Sequence, residues 1–243
     1  MRASKVSDGP PQVKRKAALT DGDVWVSLPG LMEIQCCSLG SFETNCYILR
    51  ADAASSEVVI IDAGLSPDEL AEIVADLSVA ATILTHGHAD HIGGVEGLRR
   101  TFPRMRLYVH RLDAPMLTEP RQNLSFLFEN PIVTEPADEC VEGGDRIDVA
   151  GVGLKVIHTP GHTAGGISLY HEADGAVFTG DALFAGSVGR TDFPGGSHHR
   201  LVEGIRRGLL VLPDDTRVYP GHGPATTIGE EKRHNPFLGI HEK

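Results

Sequence analysis

An α/β fold is what this sequence predicts, on three observations. Short apolar runs of strand type alternate with stretches of helical period. The alternation recurs in both halves of the chain, and residues able to bind metal collect where strands end.

The first strand read in this way covers 58–62, Val-Val-Ile-Ile-Asp, an apolar run closed by Gly64. Ser66 and Pro67 then read as the N-cap and first position of a helix. Leu70, Ile73, Val74 and Leu77 recur at i, i+3, i+4 and i+7, the pattern of a helix laying one face on a sheet. A strand over 81–85 follows and runs directly into Thr-His-Gly-His-Ala-Asp-His. The unit is βαβ, with its polar cluster at the carboxyl end of a strand, where α/β folds place their sites. A helix over about 92–101 and a strand over 106–110 come next. The segment 112–140 holds Pro115, Pro120, Pro131 and Pro136 without a sustained period, and reads as a loop with short helical pieces lying over the site.

The second half repeats this grammar with different residues. Strands are expected over 154–158, 167–171, 176–179 and 218–219, with a helix near 199–212. Their ends meet glycine-rich turns: Pro160-Gly161-His162, Gly180-Asp181 and Pro220-Gly221-His222-Gly223. Glycine lets the backbone bend sharply and come close to a bound group.

Bulk properties narrow the class. The chain has 243 residues, is 41% hydrophobic and 23% charged, and is long enough for a large core. No run approaches the length of a membrane span, and the N-terminus lacks the apolar core of a signal peptide, so a cytoplasmic protein without membrane attachment is expected. Cys36, Cys37, Cys46 and Cys140 have no CxxC spacing and are expected as free thiols, most of them buried, with the vicinal pair packing in a strand. Net charge is -11, although residues 1–20 carry Arg2, Lys5, Lys14, Arg15 and Lys16 against Asp8 alone. Residues 1–20 read as a solvated basic arm and 21–243 as one domain. Its acidity argues against nucleic acid as a partner. Oligomeric state is left open.

Three histidines and an aspartate within 86–91 are more ligands than one tetrahedral ion accepts from so short a loop. Counting the other strand ends resolves the excess. His86, His88 and His162 make one three-histidine group, and Asp90, His91 and His222 make a second. Asp181, with two carboxylate oxygens, can bridge them. Two divalent ions about 3.5–4 Å apart can activate water and polarise a carbonyl or phosphoryl oxygen. His158 reads as a strand-end polar residue, His198 and His199 as solvent-facing, and His110, His171, His234 and His241 carry no motif.

The motif His86-x-His88-x-Asp90-His91, with Gly161-His162-Thr163, Gly180-Asp181 and Pro220-Gly221-His222-Gly223, resembles the metallo-β-lactamase superfamily. "SVGRTDFPGG" (187–196), "YPGHGPATTIGEEKRHNPFL" (219–238) and "TNCYIL" (44–49) look like short hydrolases related to glyoxalase II, the hydroxyacylglutathione hydrolases. That resemblance runs over about 34–238. It implies an αββα sandwich of two mixed β-sheets flanked by helices, with a dinuclear centre along one edge. The implied ions are zinc first, with iron or manganese as alternatives. It also implies that Asp90 helps to orient the attacking hydroxide and that Asp62 holds the histidine loop, with simple turn capping as the alternative reading of Asp62. The implied substrate is a small acyl thioester such as S-lactoylglutathione. Thioester hydrolysis also suits the chemistry, because a thiolate leaves without prior protonation and an amine does not.

The chain departs from the family pattern in two places. The segment after His222 is far shorter than the helical domain that supplies basic residues to glutathione in the long forms, and Arg190 stands where the motif usually has lysine. Arg190 is expected at the substrate end of the site, gripping a carboxylate or amide oxygen. The competing reading is an ion pair with Asp192 or Asp181. The same motifs also resemble persulfide dioxygenases, which would use one iron on His86, His162 and Asp181. Lactonase and phosphodiesterase activities are more distant alternatives.

Overall fold

A computed structural model describes residues 25, 32–66 and 68–239. The basic arm expected over 1–20 lies outside the described residues, as does Pro67. Fourteen strands and five α-helices are present among them. The first sheet takes β1 (Glu33–Leu39), β2 (Thr44–Arg50), β3 (Glu57–Ile61), β4 (Ser78–Ile83), β5 (Arg106–His110) and β6 (Glu139–Val141), which lie side by side in that order. Pairing is antiparallel from β1 to β3 and parallel from β3 to β6. The second sheet uses β7 (Arg146–Val149), β8 (Val152–His158), β9 (Ile167–His171), β10 (Ala176–Gly180), β13 (Arg217–Pro220) and β14 (Thr226–Thr227), in the order β14-β13-β10-β9-β8-β7. Only β10 and β13 are parallel there. A small hairpin, β11 (Leu183–Phe184) with β12 (Ser187–Val188), follows β10.

Three apolar layers hold the two sheets and their helices together. Ile48, Ile60 and Val109 on the outer face of the first sheet pack against Leu70, Val74 and Leu98 of its helical layer. Between the sheets, Leu49, Ile61 and Ile83 meet Leu154, Leu169 and Phe178. Outside the second sheet, Val177 and Val218 meet Leu201, Ile205 and Ile228. The fold is the expected αββα sandwich of two mixed sheets flanked by helices. Val58–Ile61 of β3 are buried on both faces of the strand, which is why they read as an unbroken hydrophobic run.

Several element boundaries differ from expectation. The helix predicted from 66 is only α1 (Glu69–Ile73), with Asp68 at its N-cap position but no side-chain capping bond. Leu70 and Val74 are fully buried, so the predicted face is the packed one. The chain leaves the helix after Val74 because β4 begins at Ser78, paired with Glu57, three residues before the predicted start. The helix expected over 92–101 is two: α2 (Ala89–Ile92) and α3 (Val95–Thr101). Gly93 and Gly94 separate them; a Cβ at Gly94 would lie 2.2 Å from the Ala63 carbonyl oxygen, so only glycine allows this approach. The later helix is α4 (His198–Gly204), which continues as a π-helical turn (Ile205–Leu209). Strand β1 was expected only through the Cys36-Cys37 pair that it carries, and β2, β6, β7, β11, β12, β14 and helix α5 (Ile228–His234) were not anticipated as elements. None of the four cysteines is joined in a disulfide; Cys37 and Cys46 are buried, Cys36 is half-buried in β1 and Cys140 is exposed. Among the described residues, no helix is long and apolar enough to cross a membrane.

Candidate metal centre

The histidine loop is held from below by a single carboxylate. At the end of β3, Asp62 adopts a left-handed conformation (φ 59°), which aspartate tolerates better than most residues. Its side chain crosses to the end of the parallel strand β4. There it accepts hydrogen bonds from the Thr85 amide and the Thr85 hydroxyl, both at 2.8 Å, and from His91 Nδ1 at 2.9 Å. The Ala63 amide adds a bond to the His91 carbonyl. One buried residue thus fixes both ends of the loop.

The second sheet delivers its residues through parallel pairing of β10 with β13, which sets Gly180 beside Pro220 and so Asp181 beside Gly221 and His222. A Cβ at Gly221 would stand 2.4 Å from Asp181 Oδ1 and 2.8 Å from His91 Cε1. The turn also depends on the first sheet: Asn45 donates its side-chain amide to the Pro220 and Gly223 carbonyls, and the Tyr47 hydroxyl donates to Pro220 at 2.6 Å. On the other side, buried Asp113 ties the two histidine-bearing loops together. It accepts from the amides of Gly87 and Gly165 and from the Thr163 hydroxyl. Burial pushes its carboxyl pKa up, and these three donors offset part of that rise. Asn45 lies in the quoted "TNCYIL" but gave no hint of this role. Asp113 sits in a segment without periodicity and gave none at all.

The seven residues predicted from spacing converge. His86, His88 and His162 offer ligand atoms to one point; His86, His91 and Asp181 to a second; Asp90, His91 and His222 to a third. Asp181 faces both sides: Oδ1 is 3.4 Å from His91 Nε2 and 3.6 Å from His222 Nε2, while Oδ2 is 3.5 Å from His162 Nε2. Asp90 Oδ2 lies 3.2 Å from His222 Nε2 and 3.5 Å from His91 Nε2. The Thr44 hydroxyl donates to the same oxygen.

The outward nitrogens of four of the five histidines are also accounted for, while His88 turns Nδ1 inward, 2.8 Å from His162 Nε2. Nδ1 of His86 meets the Thr85 hydroxyl, Nδ1 of His91 meets Asp62, Nδ1 of His162 meets the Arg190 carbonyl and Nδ1 of His222 meets the Phe42 carbonyl. Each acceptor fixes a proton on Nδ1 and turns Nε2 inward, the arrangement typical of metal-ligating histidine. Inside, Nε2 of His86, Nε2 of His91 and Oδ1 of Asp181 are buried without a hydrogen-bond partner. Orphaned polar atoms of this kind are costly unless something binds them, so the donor set fits divalent cations.

The electrostatics agree. Burial and the neighbouring imidazole of His162 push His88 down to about 3, and burial with the other histidines holds His86 well below its ordinary value. Burial would lower His91 too, but the carboxylates of Asp62, Asp90 and Asp181 hold it well above the ordinary range. Burial would raise the Asp90 and Asp181 carboxyls, yet the imidazoles beside them, His91 foremost, keep both low. Carboxylates around an imidazole that must bind a proton mark a place for positive charge.

The cluster forms the floor of a cavity of about 950 Å³. Arg190 lines it, but its guanidinium is exposed. It makes two hydrogen bonds to Asp192, at 2.6 and 2.7 Å, and stacks over the Phe193 ring at 4.1 Å. The side chain therefore forms the ion pair named by the competing reading while remaining at the cavity wall. His158 ends β8, as expected; its ring stacks on buried His110 at 4.4 Å and takes no part in the cluster. His198 and His199 are exposed at the start of α4.

This sandwich, with its edge cluster of histidines and aspartates, is that of a metal-dependent hydrolase. Residues 39–222 match the family model for the metallo-β-lactamase superfamily, and the chain belongs to that superfamily. A relative in Haemophilus influenzae, named hydroxyacylglutathione hydrolase GloC, is 36% identical over 211 residues, covering 85% of this chain and 98% of its own length. Three solved structures are similar as well. BLEG-1 B3 metallo-β-lactamase shares 40% identity at a TM-score of 0.80, over 85% of this chain and 99% of that one. TTHA1623 in a di-iron-bound form shares 37% at 0.72, over 84% and 99%. ETHE1 from Myxococcus xanthus shares 33% at 0.68, over 85% and 84%.

Proposed function

We propose that this protein is a dinuclear metal-dependent thioesterase of the hydroxyacylglutathione hydrolase type. His86, His88 and His162 would hold one ion, Asp90, His91 and His222 the other, and Asp181 would bridge them. The observation that carries this reading is the split placement of the two Asp181 oxygens toward the two histidine groups. The di-iron form of TTHA1623 supports a two-ion centre, and nitrogen and oxygen donors suit zinc as well as iron. Bound there, two divalent ions would supply Lewis-acid polarisation of the carbonyl and a nucleophile at neutral pH.

The chain's own residues then determine which bond is cleaved. Asp90 lines the cavity and is held ionised, so it can accept a proton from the attacking water and orient it. Every imidazole and carboxylate lining the cavity, namely His88, Asp90, His162, Asp181 and His222, already belongs to the cluster. Among the described residues no further acid stands beside the cluster for a departing amine, which would have to rely on the proton that Asp90 takes from water. A thiolate, whose thiol has a pKa of about 8.5, needs no such acid.

The likeness to a B3 metallo-β-lactamase makes β-lactam amides the natural competitor, and the persulfide dioxygenase reading from the sequence supplies the other. The test is a three-way assay on metal-replete protein. We expect thiol release from S-lactoylglutathione without oxygen uptake, and slow β-lactam opening. Faster β-lactam opening than thiol release would overturn the thioesterase reading. Oxygen consumption with glutathione persulfide and no thiol release would move the assignment to the dioxygenase.

A further inference from the structure

Above the cluster, the cavity wall is built from Phe42, Phe126, Leu127, Phe128, Phe184 and Phe193. Three of these are among the exposed large hydrophobic side chains of the described residues: Phe42 at 52%, Phe126 at 48% and Leu127 at 79%. Single exposed apolar residues are ordinary, but a contiguous group that rims a cavity marks a binding surface.

The loop that presents this group is firmly built. Asn123 and Ser125 are fully buried. The Asn123 side-chain amide donates to the carbonyls of Met116 and Ile132, and the Ser125 hydroxyl donates to Asn123 Oδ1 at 2.6 Å. Ser125 Oγ in turn accepts from the Ile132 amide. Between these two anchors, Leu124 takes a left-handed conformation (φ 70°), and beyond buried Ser125 the side chains of Phe126 and Leu127 are turned outward. The Ala89 amide of the histidine loop donates to the Asn123 carbonyl, so the rim is bonded to the metal floor. A loop pinned by buried polar groups holds Phe126 and Leu127 with much of their apolar surface exposed at the rim.

Charge on the wall is sparse. Arg121 and Arg190 are its two cations, and Arg190 is committed to Asp192. Such a wall offers little to a polyanionic thiol carrier and much to an apolar group bonded to the carbonyl above the cluster.

Resting on the thioesterase reading, we infer that the preferred substrate carries a bulky apolar acyl group, a medium-length alkyl chain or an aryl ring, which lies along the Phe42, Phe126, Leu127 and Phe128 wall. The lactoyl group is too small and too polar to use it. Burying a methylene is worth about 0.8 kcal/mol, a factor of about four; on a wall that stays half open, about two- to fourfold per methylene is the expected gain.

The test holds the thiol constant and varies the acyl group. Zinc-loaded protein is assayed with the lactoyl, acetyl, hexanoyl and octanoyl thioesters of glutathione. Binding of the uncleavable thioethers S-methylglutathione and S-hexylglutathione is measured by calorimetry. We expect kcat/KM to rise with chain length, S-hexylglutathione to bind more tightly, and both trends to flatten in a Phe126→Ser, Leu127→Ser variant, whose substitutions lie at exposed positions. Equal kcat/KM across the series with equal thioether binding overturns this inference and leaves the thioesterase reading standing. No thiol release from any ester overturns that reading instead; the wall is then judged on the thioethers alone, where a preference for hexyl lost in the variant supports it and equal affinity overturns it. A dimer that the variant abolishes, with ligand binding unchanged, would give the patch to a second copy of the chain and also overturn the inference.

Discussion

On the floor of the cavity the imidazoles of His86, His91, His162 and His222 are each tied from behind to an acceptor, whereas on its rim Phe126 and Leu127 stand in solvent on a loop pinned only at its base. The floor uses buried polar groups, each needing its partner, to fix the direction of a few nitrogens. The rim invests exposed apolar surface, which tolerates substitution. Changes on the floor should therefore remove metal or chemistry outright, and changes on the rim should alter which substrate is taken. Function in this fold is set by the site and not by the sandwich that carries it.

The strongest break of that contrast is at Asp181. Its replacement by alanine should lower metal content at both positions and reduce hydrolysis to background, because its two oxygens serve both groups; loss of one equivalent alone, by metal analysis, would remove the bridge. Asp62→Ala acts one bond further out, freeing His91 and the Thr85 amide together. Metal affinity should fall about 10- to 100-fold, which chelator competition would measure; an unchanged affinity would reduce Asp62 to a turn residue.

Protons sharpen the same point. In the metal-free protein the carboxylates of Asp62, Asp90 and Asp181 raise the His91 pKa and favour its protonated form. A cation arriving at Nε2 must displace that proton. Zinc titrations at pH 7 in buffers of different ionisation heat should show proton release, diminished in a His91→Ala variant. Release that is the same in the variant would place the proton elsewhere.

The smallest effect belongs to the rim. Arg190→Ala should raise KM several-fold with kcat little changed and metal content intact. An unchanged KM would mean that the pair with Asp192 only shapes the loop, and a loss of metal would assign the residue to the support of His162.

How much of this was legible follows from which signals are local. Strands β5, β9 and β10 are covered on both faces, so their apolar runs stood out, and each residue of the cluster follows a strand end or a glycine turn that spacing alone can mark. Strands β1 and β2 carry Gln35, Thr44 and Asn45 among apolar residues, which hides their period; these polar positions are buried, and Asn45 is spent clamping the His222 turn. The unbroken helix expected after His91 failed at Gly94, whose contact with the Ala63 carbonyl oxygen is tertiary and has no trace in the sequence. Asp113 was invisible for the same reason: its three donors come from Gly87, Thr163 and Gly165, in loops distant along the chain. The apolar rim was foreseen only as a loop over the site, since exposed phenylalanines have no sequence signature that separates them from core.

The central claim is that two ions share one carboxylate on this floor. Elemental analysis of the purified full chain tests it most directly. Two divalent metals per chain, falling together in Asp181→Ala, is the predicted result. A single iron per chain, retained at full occupancy when Asp90 or His222 is replaced, would contradict it.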